Sequence, residues 1–170
     1  MLSWEVGRKG PVKYKVLMVC MDNLCLSPLA AGLLNFAAEA KGLAEHLEVD
    51  SAGLKVKNKG ESPVRSVLST AENHGFVLTH EARDLDQEDL DAFDEILVLD
   101  ESSLKAVLVF AGSSKYQQKV RLLTEYDLRK EKQKNFEDPR TFSAARQAEG
   151  FEELYEQLWY ACMGFLKRAT

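Results

Sequence analysis

Two cysteines five residues apart lie in Val19-Cys20-Met21-Asp22-Asn23-Leu24-Cys25-Leu26-Ser27-Pro28, between a short apolar run and an Ala-rich stretch with helical periodicity. A thiol that ends a strand and is followed at once by a helix N-terminus is placed for nucleophilic attack on a bound anion. The turn's backbone N–H groups and the helix dipole favour negative charge there, and the thiolate is the reactive form. A loop that holds a phosphate normally sets a cation near the nucleophile, and six residues after Cys20 the chain offers none. That position is Leu26, and Asp22 adds a carboxylate inside the turn.

The elements around the motif follow from apolar spacing. Residues Lys15 to Cys20 form a mostly apolar, β-friendly run, as expected of a central parallel strand. From Pro28 to Lys41 the pattern predicts a helix with Leu29, Leu33, Phe36, Ala37 and Ala40 on one face, Ser27 as its N-cap and Pro28 as its first residue. A second strand is expected at Leu47 to Ser51, and a helix from Pro63 to His74 stopped by Gly75. Glu95 to Leu99 reads as a third strand, Glu101 to Phe110 as a helix, and Lys119 to Leu123 as a fourth strand. In the last helix Phe151, Leu154, Tyr155, Leu158, Cys162, Phe165 and Leu166 recur on one stripe. Strands interleaved with helices imply a three-layer α/β fold, a four-stranded parallel sheet with helices on both faces. In such folds ligands sit beyond the carboxyl ends of the strands, which is where Cys20 falls.

The 170 residues are read as an N-terminal extension over 1–14 and a single domain over 15–170. A formal net charge of −5 argues against nucleic acid or an anionic membrane as partner. The one basic stretch, Arg129 to Lys134, contains Glu131 and reads as a solvated loop. Three cysteines make no disulfide framework, which points to a reducing, cytoplasmic setting. Met1 to Gly10 carries Glu5 and lacks the apolar core of a signal peptide, and no apolar run approaches the ~18 residues of a membrane span. The cysteines and His46, His74 and His80 lack metal-ligand spacing, so neither metal nor cofactor is expected.

The chain resembles the low molecular weight protein tyrosine phosphatases, whose loop reads Cys-x-Gly-Asn-x-Cys-Arg-Ser-Pro. Further landmarks follow in order: Asp50-Ser51-Ala52-Gly53, Gly60, Pro63-Val64-Arg65, His74-Gly75, His80-Glu81-Ala82-Arg83, Phe93 to Asp100, Asp138-Pro139 and Gly150-Phe151-Glu152-Glu153. The resemblance covers almost the whole chain and implies a phosphotyrosine protein phosphatase I-like fold. It implies that Cys20 attacks phosphorus, that Ser27 hydrogen-bonds its thiolate, and that Asp138 protonates the leaving oxygen. Met21, Asp22, Asn23, Leu24, Cys25 and Leu26 would form the anion cradle, with Asn23, Ser51 and His80 bracing it from behind. A phosphorylated protein or another anion is the candidate ligand.

Two departures oppose that chemistry. Leu26 cannot imitate the guanidinium fork that the family places there. Asp22 replaces a glycine, bringing backbone restriction and a charge that repels a dianion. The expectation is a relative with very weak or absent phosphatase activity, serving as a binding or regulatory protein. The alternative is an active cysteine-dependent phosphomonoesterase that borrows a rim cation such as Arg140, which follows Asp138-Pro139 and would otherwise be a plain surface charge. Lys55, Lys57 and Lys59 add to a cationic rim. Cys25 is either an inert neighbour or the partner of Cys20 in a reversible disulfide, and Cys162 is a core thiol. Arsenate reduction would need resolving thiols downstream, and residues 81–99 contain none.

Overall fold

The computed structural model describes residues 12–129 and 133–168. The signal-peptide reading, most of the N-terminal extension and the middle of the basic stretch Arg129 to Lys134 lie outside the described residues.

Four parallel strands form one sheet: β1 (Tyr14–Cys20), β2 (Leu47–Gly53), β3 (Glu95–Val98) and β4 (Val120–Leu122), in the order β2-β1-β3-β4. The helices are α1 (Leu26–Ala40), α2 (Arg65–Asn73), α3 (Gln87–Ala92), α4 (Glu101–Ala111), α5 (Ser114–Gln117) and α6 (Ala144–Lys167). Strand alternation explains the layering. Val16, Met18 and Cys20 of β1 join one core with Leu29, Leu33 and Leu34 of α1 and Leu158, Cys162 and Phe165 of α6. Leu17 and Val19 join the opposite core with Leu90 of α3, Ile96 and Val98 of β3, and Val107 of α4. A strand covered on both faces must be apolar at every position, which is why β1 reads as a continuous run rather than an alternation.

Several expected boundaries move. The N-cap of α1 is Cys25, without a side-chain cap, and Ser27 lies inside the helix. The Ser27 hydroxyl is turned to the Cys20 sulfur at 2.9 Å instead of to a helix amide. The buried face of α1 is Leu26, Leu29, Ala30, Leu33, Leu34, Ala37 and Ala38, whereas Ala40 is exposed. Helix α6 begins at Ala144, well before the apolar stripe opens at Phe151; its first turns are rich in alanine and mostly exposed, so no buried stripe marks them. Helix α3 follows from a capping box: Asp86 accepts the Asp89 amide at 3.0 Å and Asp89 accepts the Asp86 amide at 2.9 Å. It is too short to show an apolar period, so periodicity alone passes over it.

Candidate active site

Strand order reverses direction around β1, whose neighbours are β2 and β3. This is the switch point at which an open parallel sheet presents a crevice. Cys20 ends β1 there, and the chain turns through Met21 to Cys25 before α1 begins.

The turn is held from behind by Asn23, which is fully buried and has left-handed backbone at φ 58°. Asparagine tolerates that region better than most residues. Its amide nitrogen donates to Ser27 Oγ and to Ser51 Oγ, both at 2.9 Å. Its Oδ1 accepts the Arg83 amide at 3.0 Å and His80 Nε2 at 2.8 Å. Burial pushes the His80 pKa down, so the ring is neutral at pH 7 and Nε2 is the protonated nitrogen. Arg83 extends the brace sideways, hydrogen-bonding Asp50 and, through both terminal nitrogens, Asp89. At Gly53, which ends β2 beside the turn, a Cβ would stand 2.9 Å from the Met21 carbonyl oxygen, so this close approach needs glycine. The left-handed residue of the turn is thus Asn23 and not Asp22. The conflict at Asp22 is one of charge and not of backbone conformation.

Beyond the turn lies a pocket of about 230 Å³ lined by Cys20, Met21, Asp22, Leu26, Asp100, Phe136, Asp138 and Arg140. Leu24 and Cys25 belong to the turn but do not line the pocket. Leu24 fixes the turn to the lead-in of α2 by accepting the Val64 amide at 3.0 Å. The Cys25 thiol is buried and points to Asp138 Oδ1 at 3.6 Å. Leu26 is 6% exposed and forms an apolar wall.

Arg140 reaches into the pocket, so the reading of it as a plain surface charge does not hold. Its Nε lies 3.0 Å from each Asp138 carboxylate oxygen, its Nη2 2.5 Å from Asp138 Oδ2, and the same Nη2 2.8 Å from Asp22 Oδ2. The other Asp22 oxygen accepts the Leu24 amide at 3.1 Å. One turn N–H and the guanidinium are therefore already committed to an internal carboxylate. Asp100, at the carboxyl end of β3, adds a third acid to the lining while capping α4 through the Ser103 amide. Among the described residues lining the pocket, three are acids and one is a cation. Lys55, Lys57 and Lys59 do not line it, and Lys59 pairs with Asp84.

These surroundings set the protonation states. Burial pushes the Cys20 thiol up; hydrogen bonds from Ser27 and the Asn23 backbone pull it down without cancelling the rise, and Asp22 raises it further. Cys25 is pushed up by burial and then by Asp138. Burial would raise the Asp138 carboxyl, but hydrogen bonds and charge from Arg140 outweigh it and hold the group below the ordinary carboxylate range. The arrangement favours a neutral thiol beside an ionised, paired Asp138, the reverse of what a nucleophile with a proton-donating acid requires.

Sequence reasoning brought together Cys20, Ser27, Asn23, Ser51, His80, Asp138 and Arg140, and the structure places them around one turn. It missed Asp100 and Phe136. The position of Asp100 directly after the third strand was a usable signal, while Phe136 enters through a backbone bond to the Leu99 carbonyl at 3.0 Å that no local pattern foretells.

Comparison with known proteins gives a consistent result. The family model for low molecular weight phosphotyrosine protein phosphatase matches residues 15–170. A low molecular weight phosphotyrosine protein phosphatase of Sus scrofa is 32% identical over 158 residues, 92% of this chain and 96% of the relative. A solved structure of DARP, a Drosophila arginine phosphatase, is 32% identical with a TM-score of 0.80, over 90% of this chain and 96% of that one. A protein tyrosine phosphatase from Entamoeba histolytica shares the fold at a TM-score of 0.83 and 22% identity, over 92% of this chain and 96% of that one.

Proposed function

Because the chain belongs to the low molecular weight phosphotyrosine protein phosphatase family, we propose that it is a relative whose Cys20 pocket hydrolyses phosphomonoesters very weakly or not at all, and that acts by binding. The observation that carries this reading is the Asp22–Arg140–Asp138 chain across the mouth of the pocket.

A cysteine phosphatase must hold a dianion, present a thiolate and protonate a leaving group. Each requirement meets an obstacle. Leu26 offers the phosphate no hydrogen bond, and one missing donor to a charged transition state costs about 3–4 kcal/mol. An arginine acting on a phosphoryl transition state is worth ~10³–10⁵ in rate. Asp22 supplies a carboxylate where the substrate's charge would accumulate, and Arg140 is shared between two acids. Asp138, paired and ionised, has no proton to give at neutral pH.

A second reading keeps hydrolysis, with Arg140 turning from its carboxylates to the substrate. Its support is the presence of Arg140 in the pocket lining. Assays of p-nitrophenyl phosphate, phosphotyrosine peptide and phosphoarginine decide between the two readings; the last is included because one similar structure is an arginine phosphatase. The first reading expects rates at or barely above those of Cys20→Ser. Substantial turnover that vanishes in Cys20→Ser overturns it in favour of the second.

A further inference from the structure

A second hollow, of about 420 Å³, lies on the outer side of α6 beside the end of α2 and shares no lining residue with the Cys20 pocket. Its walls are aromatic: His74, Tyr155, Trp159 and Tyr160. The His74 ring stacks on Tyr155 with centroids 3.5 Å apart and planes 10° from parallel, and Tyr155 continues to Trp159 at 6.4 Å and 23°. The His74–Tyr155 stack is fixed further by the bond from His74 Nε2 to Glu152 Oε2 at 2.6 Å. Trp159 and Tyr160 are only partly buried, so large aromatic surface faces solvent in a concave, ordered setting.

Four glutamates line the hollow, Glu149, Glu152, Glu153 and Glu156, of which Glu152 is already bonded to His74. Helical spacing puts 149, 152, 153 and 156 on the same face as the rings, so aromatic faces and carboxylates address one volume. Ring faces attract cations, and carboxylates beside them add charge attraction. The surface already holds one such contact, because the Arg129 guanidinium lies 5.3 Å from the centroid of the Tyr160 ring. Tryptophan and tyrosine in a concave patch are also the residue types that dominate binding energy at protein interfaces.

The geometry points to this hollow as the docking site for a basic, arginine-bearing segment of a partner protein. A guanidinium laid against Trp159 gains ring attraction and reaches Glu153 or Glu156 at the rim. The complementary charge selects this occupant over an acidic or purely apolar segment. The inference does not depend on Cys20, and its failure leaves the reading of the Cys20 pocket untouched.

The test is fluorescence anisotropy of a labelled Gly/Ser peptide carrying four arginines, titrated with the full chain. Saturable binding is expected, weakening as salt rises and absent for the same peptide with citrulline in place of arginine. Trp159→Ala should weaken it roughly tenfold. Glu153→Gln with Glu156→Gln, at exposed positions that leave the fold intact, should weaken it several-fold and carries the test if Trp159→Ala fails to fold. No binding by the native chain, equal binding of the citrulline peptide, or affinity unchanged in the folded variants overturns the inference. Displacement by tetramethylammonium at the peptide's own affinity also overturns it, by assigning the hollow to a small ammonium ligand.

Discussion

The Asp22 carboxylate and the Arg140 guanidinium meet at 2.8 Å in the lining of the pocket that Cys20 shares. The chain supplies both partners itself. Leu24 N–H and Arg140 satisfy the Asp22 carboxylate, and Arg140 is steadied by Asp138. A phosphate entering this pocket has to displace an ion pair formed inside the protein.

Removing the negative charge of Asp22 should free Arg140 of one of its two carboxylates. Asp22→Asn is expected to raise inorganic phosphate affinity roughly tenfold or more, since a unit charge about 4 Å away at the protein surface is worth ~4 kcal/mol before screening. Arg140→Ala in the same background should cancel the gain. Isothermal titration with phosphate checks both, and an Asp22→Asn protein no better than native removes the internal-anion account.

Acid should weaken the clasp. The folded-state pKa of Asp138 lies below that of an unfolded aspartate, so the stability of its ionised form is present above the unfolded value and lost as pH falls through the folded one. Melting temperatures of native protein and Asp138→Asn, taken from pH 7 down to pH 3, should differ most at neutral pH and converge below about pH 4. A constant gap across that range contradicts the pairing.

His80 acts with the same sign at higher pH. Its folded-state pKa is lowered by burial, so the unfolded chain binds a proton first and stability declines as pH falls below about 6.5. His80→Gln, which can still donate toward Asn23, should flatten that part of the pH–stability curve. A native curve flat between neutrality and about pH 5 would show that the ring is not held neutral.

Much of this was legible in the sequence. The continuous apolar run of β1, the residue types of the Cys20 turn and the helical stripe of α6 are each carried by neighbouring residues. The three-layer sheet followed from their order. What escaped were contacts made between distant segments. The second oxygen of Asp22 finds Arg140, and the Cys25 thiol finds Asp138. Short elements such as α3, defined by a capping box and an Arg83–Asp89 pair, leave too few residues for a period to emerge.

The brace should matter for stability whatever the pocket does. Asn23→Ala removes side-chain bonds to Ser27, Ser51, His80 and the Arg83 amide in a fully buried site and leaves alanine in left-handed backbone. A loss of about 2–4 kcal/mol is expected in urea denaturation, because buried partners are left unsatisfied. A loss below ~1 kcal/mol would mean that water or neighbouring groups replace the bonds.

The most direct measurement is kcat/KM for p-nitrophenyl phosphate in the native chain and in Asp22→Gly/Leu26→Arg, assayed side by side. The account predicts a rise of about three decades or more in the double variant, abolished by adding Cys20→Ser. A native chain that already turns over at the double variant's rate, through Cys20, would contradict it.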